Sequence, residues 1–442
     1  MFRRLAALVA AFLLVSAMVA GGAQAGPPGR DAARRPVIFV HGFSGSGQQF
    51  ETQARRLASN GYQADLIEAH EYDSLFVENT RDEVFASLDR RIARLRARAR
   101  ADKVDLLAHS LGTGLMQAYL RSSPERAATV AHYVNLDGAT SVDQPGGVPT
   151  LAVWGEGSTA RAVGGATNVY FSDQSHTQVV TSPETFTEFY RFLTGRAPRT
   201  TAIIPQRHAR LSGRAVLFPA NVGAEGARLE IYRVNPRNGK REARRPEAVF
   251  HITGDGAWGP FKADGRAHYE FALVWGRTST HHLYFQPFLR TDNLVRLLTS
   301  RPGEGLASQV ETGDGHSAMT ISRQKEWWGD QGAAGDSLRI NGREVLNAAN
   351  TPRTKRAIGI FAYDAGKDGV TDLSAPIPAF AAQPFITGID VFMPAGARRS
   401  ISVVSRPRGG AGRVGSLMVP AWPSSTHRIS VQFDDHLQGA RR

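Results

Sequence analysis

The run Val-Asp-Leu-Leu-Ala-His-Ser-Leu-Gly, from Val104 to Gly112, decides the fold of this chain. Val104 to Ala108 reads as an apolar strand, and the stretch through Met116, Tyr119 and Leu120 has the spacing of a helix. Between them stands Ser110. A strand that turns sharply about a serine into a helix strains the serine backbone and exposes its hydroxyl. Small neighbours let such a turn close, and here they are Ala108 and Gly112. Ala108 occupies a position where the general pattern has glycine, so the turn carries one extra methyl. A serine that merely caps a helix after a strand is the competing reading.

A second stretch agrees with the first. Pro36 to Phe43 is another apolar strand, ending in His41-Gly42-Phe43, followed by Ser44-Gly45-Ser46-Gly47. A nucleophilic serine needs backbone N–H groups aimed at the oxyanion that develops when it attacks a carbonyl. The residue after the nucleophile, Leu111, supplies one; the loop after an early strand, at Phe43, supplies the other. Gly42 lets that loop come close. A phosphate-binding loop is disfavoured because no Gly-Lys-Ser/Thr follows.

The serine also needs a base, and the base an acid. His176 is the best base: it follows the last strand of the first half, Val169 to Ser172, and precedes a closing helix over Pro183 to Leu193. His109 adjoins the nucleophile but cannot easily turn back onto it, and His132 begins a strand, away from the expected catalytic end. Two carboxylates compete for the third place. Asp137 ends the strand Val130 to Leu136 and is backed by Gly138; Glu156 ends the strand Thr150 to Trp154 and sits between Gly155 and Gly157. The later strand favours Glu156 by the general pattern. The shorter, more rigidly held side chain favours Asp137.

These residues resemble the secreted bacterial and archaeal lipases and carboxylesterases of the α/β-hydrolase superfamily. Ala108 to Gly112 matches their Ala-His-Ser-x-Gly elbow, and His41-Gly42-Phe43 matches their oxyanion loop. The resemblance is nearest to archaeal-type lipases whose hydrolase domain is followed by all-β domains. It implies a serine esterase or lipase working through Ser110, Asp137 and His176, with oxyanion donors at Phe43 and Leu111, and with Glu156 as the alternative acid. It implies an ester or lipid substrate met at a lipid–water interface, with the β domains receiving long acyl chains rather than taking part in bond cleavage. It requires no cofactor and no metal. The same triad serves a polyester depolymerase, a peptidase or an acyltransferase, and a catalytically inactive exported binding protein is a further alternative.

Outward from these motifs, strands alternate with helices as far as Gly195, which indicates an α/β domain with a mostly parallel sheet. Gln49 to Leu57 and Asp82 to Ala101 read as helices and Tyr62 to Leu66 as a strand. Residues 69–80 read equally as a cover for the site or as a packed connection. From Arg214 onward the chain breaks into short β-like runs with Asn-Gly and Asp-Gly turns, which predicts an all-β, sandwich or barrel-like C-terminal region. The expected division is a signal peptide over 1–25, a linker over 26–35, the hydrolase domain over 36–195, a β-sandwich over 200–290 and a second β-rich domain over 291–442.

The signal peptide rests on Arg3-Arg4, the apolar run Leu5 to Ala20 and the small-x-small site Ala23-Gln24-Ala25, and it predicts a secreted, extracellular protein. The chain has no cysteine, which excludes disulfides and thiolate catalysis. Its formal charge of +13 comes mostly from scattered arginines. Without zinc-finger spacing or an aromatic RNA-binding signature, that charge reads as a solvated basic surface and not a nucleic-acid site. Asp364, Asp368, Asp372 and Asp390 lack the final glutamate of a calcium loop, so turn roles are expected. His281-His282 lacks a convincing third ligand.

Overall fold

The computed structural model describes residues 35–435, apart from 158 and 411. The expected signal peptide and all but Arg35 of the expected linker lie outside the described residues. Among the described residues no helix is long and apolar enough to cross a membrane.

The first part of the chain builds a parallel sheet from β1 (Val37–Val40), β2 (Ile67–His70), β3 (Val104–His109), β4 (Val130–Leu136), β5 (Thr150–Trp154) and β6 (Thr167–Tyr170). All residues of β1 and β3 are buried, as expected of parallel strands covered on both faces. The helices are α1 (Glu51–Ser59), α2 (Arg81–Ala99), α3 (Leu111–Ser122), α4 (Pro124–Ala128), α5 (Gln178–Thr181) and α6 (Pro183–Thr194). On one face Val84, Leu88, Ile92 and Leu95 of α2 pack with Ile38, Val40 and Leu106; on the other, Phe186 and Phe189 of α6 pack with Phe39 and Leu107. Thr80 caps α2 in a reciprocal box with Glu83, and Arg100 closes it in the left-handed conformation.

The strand order is β2-β1-β3-β4-β5-β6. The chain runs outward from β1 to β2, then returns to the other side of β1 to lay down β3. The point where the order reverses is where such sheets open a crevice at their C-terminal ends. Val40 pairs with Ala108, so the segments that follow, His41-Gly42-Phe43 and His109-Ser110, emerge side by side into that crevice.

One expectation is corrected here. Residues 62–66 are not a strand: Ala64–Leu66 is a 3-10 turn, and the strand begins at Ile67. It is β2's pairing with β1, a non-local contact, that sets the register: Val37 sits opposite Ile67.

The C-terminal region is all β. His208–Leu217 lies between Ala257–Asp264 and Asp292–Thr299, and this sheet faces part of a second, eight-stranded sheet across a core of Leu211, Leu229, Ile231, Phe261, Phe271 and Val295. A third sheet, of Ser337–Ile340, Ser400–Arg406, Gly415–Pro420 and the short Arg343–Glu344, packs on the other end of the eight-stranded sheet through Ile321, Leu338, Ile360, Val403, Leu417 and Val431. Trp327 belongs to that core.

The expected junction at 290/291 separates less than anticipated. Asp292–Thr299 pairs with His208–Leu217 and so belongs to the first β unit. The eight-stranded sheet runs through both units, because Ser279–Phe285 pairs in parallel with His427–Gln432.

The β region also covers the parallel sheet. Every residue of α1 is buried. Its arginine Arg55 reaches Asp292 and Asp434, Ser59 accepts from Arg290, and Thr52 donates to Gln324. Alternate residues of Asp292–Thr299 divide the labour. Val295 and Leu297 fill the sandwich core, whereas Leu294 joins the core under α1 and Arg296 reaches Glu71 beyond β2.

Candidate active site

Ser110 sits between β3 and α3 with φ 52° and ψ −124°, a conformation that a non-glycine residue adopts only when its surroundings impose it. Two glycines make room for it. A Cβ on Gly42 would stand 2.8 Å from the Ser110 Cβ, and one on Gly112 would stand 2.4 Å from the His41 carbonyl oxygen. The Ser110 N–H is held by the Leu136 carbonyl at 3.0 Å, and its carbonyl accepts from the Thr113 hydroxyl at 2.6 Å. The one-methyl excess at Ala108 is absorbed within the sheet, where Ala108 is fully buried.

Three of the sequence-predicted residues come together. His176 Nε2 is 3.0 Å from the Ser110 hydroxyl oxygen, and His176 Nδ1 is 2.6 Å from Asp137 Oδ2. Asp137 is buried, and its other oxygen accepts from the Gly155 N–H at 3.1 Å and from Arg161 at 2.8 Å. Burial pushes the Asp137 carboxyl up, but the hydrogen bond of His176, the Gly155 N–H and Arg161 more than reverse this and hold it at about 2. An ionised Asp137 keeps the proton of His176 on Nδ1 and leaves the Nε2 lone pair toward Ser110.

Glu156 does not share this cluster. Its carboxylate is paired with Arg353, whose Nε lies 3.1 Å away, and with Arg356 at 3.5 Å, both from the second β unit. The alternative acid of the sequence reading is thus turned away from His176 by cations almost two hundred residues later in the chain. His132 pairs with Asp105 at 2.8 Å near the start of its strand. His109 lies beside the cluster, with Nε2 at 3.0 Å from the His176 carbonyl and Nδ1 at 3.0 Å from the Gln49 side chain. Burial and the neighbouring His176 push the His109 ring well below its ordinary value, so it stays neutral.

The backbone N–H groups of Phe43 and Leu111 have no protein acceptor among the described residues. Their loop is braced from beneath by His41. That ring is fully buried and neutral, because burial lowers its pKa more than Glu71 raises it. It stacks on Tyr72 with centroids 4.4 Å apart, and the Tyr72 hydroxyl donates to the His41 carbonyl at 2.9 Å. Asn221, from the β region, adds a bond that sequence reasoning missed: its amide donates to the Gly45 carbonyl at 2.8 Å. Glu71 takes the Gly47 N–H at 3.0 Å and is itself held by Arg296.

Ser110 and His176 open into a cavity of about 530 Å³ whose far wall is the β region. Its lining is mainly apolar and includes Leu283, Phe285, Leu298, Met319, Phe361 and Ile386. Leu75 lines the mouth and is exposed with Phe76 and Val77. The Asp73 carboxylate ties this loop by accepting from the N–H groups of Leu75, Val77 and Glu78, at 3.0, 2.8 and 3.0 Å. Residues 71–80 are therefore a tied connection with an apolar tip at the cavity mouth.

The remaining sequence candidates have structural partners. Asp364, Asp368, Asp372 and Asp390 accept backbone N–H groups of Gly369, Val370, Ser374 and Ala365. His281 bonds Thr299 and Ser430, and His282 bonds Glu270 and His427.

Comparison with known proteins matches residues 35–158 to a family profile described as alpha/beta hydrolase fold, residues 207–302 to a lipase C-terminal domain, and residues 305–437 to a further C-terminal domain. No curated protein matches the chain. Among solved structures, Aspergillus fumigatus lipase B is 15% identical over 38% of this chain and 54% of that one, with a TM-score of 0.30; the chain thus matches about half the length of the fungal lipase. Bacillus licheniformis lipase BlEst2 in propeptide form is 12% identical over 88% and 93% of the two chains, with a TM-score of 0.29. Phospholipase PlaB from Legionella pneumophila is 10% identical over 92% and 97%, with a TM-score of 0.22. The chain thus combines an α/β-hydrolase core with C-terminal all-β domains, a fold consistent with a hydrolytic enzyme family.

Proposed function

We propose that this protein is a secreted serine carboxylic-ester hydrolase, of the lipase or carboxylesterase kind, acting through an acyl-enzyme. The observation that carries the reading is the continuous chain Ser110–His176–Asp137, at 3.0 and 2.6 Å, opening into an apolar cavity of about 530 Å³. Its apolar lining suits the acyl chain of a lipid ester better than a peptide.

In this reading His176 Nε2 takes the hydroxyl proton as the Ser110 oxygen adds to the ester carbonyl. The carbonyl oxygen becomes the oxyanion and is met by the N–H groups of Phe43 and Leu111, the latter at the N-terminus of α3. As the carbon–oxygen bond to the alcohol breaks, His176 returns its proton to the departing alkoxide, leaving the acyl group on Ser110. A water molecule then gives its proton to His176 and attacks the acyl carbonyl, and the acid leaves as Ser110 recovers the proton. Asp137 stays ionised throughout and steadies the imidazolium. Secretion is part of the proposal and rests on the leader-like segment over 1–25.

The test is a panel of p-nitrophenyl esters, triacylglycerols, peptides and polyhydroxyalkanoate, with an organophosphonate as covalent probe. Ester turnover and labelling are expected in the wild type, and both are expected to vanish in Ser110→Ala, with a loss on the scale of about a million-fold. Labelling that persists in Ser110→Ala, or peptide turnover exceeding ester turnover, overturns the assignment.

A further inference from the structure

Both residues that flank His176 are bound by one carboxylate from outside the hydrolase domain. Glu326, in the segment between Met319–Ser322 and Ser337–Ile340, is completely buried. Its Oε2 accepts the Ser175 hydroxyl in a short bond, and its Oε1 accepts the Thr177 N–H at 2.8 Å. Arg408, also from the second β unit, donates to the Ser175 oxygen at 3.1 Å and to the Gln178 side chain at 2.8 Å.

A buried carboxylate is costly unless it is hydrogen-bonded and its charge balanced. Here buried charges of both signs, Arg323, Lys325, Arg408, Asp336 and Asp435, gather around it. Arg323 and Arg408 both pair with Asp336, at 2.7 and 2.8 Å, and both donate to the backbone carbonyl of Glu326. Their guanidinium groups lie over Trp327 and Trp328, at 3.9 and 3.7 Å from the ring centroids. The framework that presents Glu326 is therefore stiff, and the two bonds that Glu326 makes outside it both go to the His176 loop.

The hydrolase domain also holds that loop. The Glu156 N–H donates to the Gln174 carbonyl at 2.7 Å, the Gln174 N–H to the Phe171 carbonyl at 3.0 Å and the Val179 N–H to the Ser175 carbonyl at 3.1 Å, and His109 Nε2 lies 3.0 Å from the His176 carbonyl. The Glu326 carboxylate adds a bond to the Ser175 hydroxyl, just before His176, and one to the Thr177 N–H, just after it, so it grips the loop on both sides of the base.

We infer that Glu326 is a positioning residue for the hydrolysis proposed above: it sets the reach of His176 to Ser110, so the β region completes the reaction centre and does not only receive substrate. The inference rests on the serine-hydrolase reading. A shift of the base by about 1 Å is enough to cost about a hundredfold in rate.

The experiment uses the purified full chain and compares Glu326→Ala with Glu326→Gln on one short ester, for which the acyl cavity matters least. Both variants remove the buried charge. Only glutamine keeps an oxygen for the Thr177 N–H and an amide for the Ser175 oxygen, so their difference isolates the hydrogen bonds from charge balance. Glu326→Ala is expected to lower kcat about a hundredfold with KM nearly unchanged, and to slow phosphonate labelling of Ser110 in parallel; Glu326→Gln is expected to recover at least about tenfold of that loss. Ser175→Ala, which removes one arm of the fork and leaves the buried charges in place, is expected to lower kcat several-fold, and it decides the matter if Glu326→Ala does not fold. Where Glu326→Ala folds, wild-type kcat in Ser175→Ala together with either wild-type kcat in Glu326→Ala or equal losses in alanine and glutamine overturns the inference alone; where it does not fold, wild-type kcat in Ser175→Ala does so by itself. A wild type that neither turns over esters nor labels at Ser110 overturns the hydrolase reading, and the inference falls with it.

Discussion

Asp137 Oδ2 lies 2.6 Å from His176 Nδ1, on a backbone bent to φ 43° at the end of β4. The side chain is short, and the N–H of Gly155 at the end of β5 fixes its second oxygen. Asp137→Asn should therefore lower ester turnover by about ten-thousand-fold, the scale known for a protease triad in which the same change leaves the histidine in the wrong tautomer. Glu156→Gln should leave turnover within a few-fold, because it removes only partly exposed pairs with Arg353 and Arg356, each worth about 0–1 kcal/mol. Turnover of one short ester by both folded variants checks this. A severe loss in Glu156→Gln with a mild one in Asp137→Asn would reverse the assignment.

Asn221 predicts an effect of the β region on the chemistry itself. It holds φ 59° and donates to the Gly45 carbonyl at 2.8 Å and the Tyr72 carbonyl at 3.2 Å, so it joins the oxyanion loop to the segment beneath it. Asn221→Gly keeps the left-handed backbone available and removes the amide. We expect kcat to fall about tenfold for acetate and long-chain esters alike, as for loss of a group that orients the oxyanion donors. A loss confined to long chains, measured across a chain-length series, would return this part of the β region to the pure substrate-binding role that the sequence suggested.

Much of the site was legible because its signals are local. The elbow at Ser110, the His-Gly loop at residue 41 and the histidine after the last strand are each carried by fewer than ten neighbouring residues. Asp137 was favoured locally, by its short side chain at a strand end; the partners of Glu156 were not local, because no spacing connects Arg353 and Arg356 to residue 156. The same holds for Glu326 and Asn221, which look like ordinary loop residues until the β region folds back over α1. The β character of that region was readable from its short runs and its Asn-Gly and Asp-Gly turns, and strands such as Arg228–Val234 and Ser337–Ile340 fill it. Its partition was not, because the parallel pairing of Ser279–Phe285 with His427–Gln432 joins segments far apart in the chain.

The buried Glu71 predicts a specific acid sensitivity. Burial pushes its carboxyl up, but the charge and hydrogen bond of Arg296 more than reverse this and hold it at about 2, below its ordinary 4.5. A carboxyl depressed on folding stabilises the native state fully above its unfolded value, and this is lost as pH falls through the folded one. The contribution of Glu71 should thus be whole above about pH 4.5 and fade toward pH 2. Glu71→Gln should lower the urea midpoint at pH 7 and flatten the acid limb over that window. Parallel midpoint curves for variant and wild type between pH 4.5 and 2 would refute the coupling.

The cavity makes the last prediction. Leu298 lies on the face of Asp292–Thr299 turned toward the hydrolase domain, the face that also carries Leu294 and Arg296, and it lines the space that Ser110 opens into. The neighbouring Leu297 faces the sandwich core, so the backbone of this strand is held from behind. Leu298→Trp would place an indole in the cavity, where the strand cannot retreat from it. An acetyl group bound at Ser110 needs only the space beside Gly42 and His176. A long acyl chain must continue along the wall formed by Leu283, Phe285 and Met319. Each methylene displaced from an apolar pocket costs about 1–3 kcal/mol of discrimination. The ratio of kcat/KM for an octanoate or longer ester to that for acetate should accordingly fall by about tenfold or more, with acetate turnover near wild type. Circular dichroism and the thermal midpoint would show whether the indole is accommodated without unfolding. If the native-like variant hydrolysed the whole chain-length series in wild-type proportion, the acyl chain would not run along this wall.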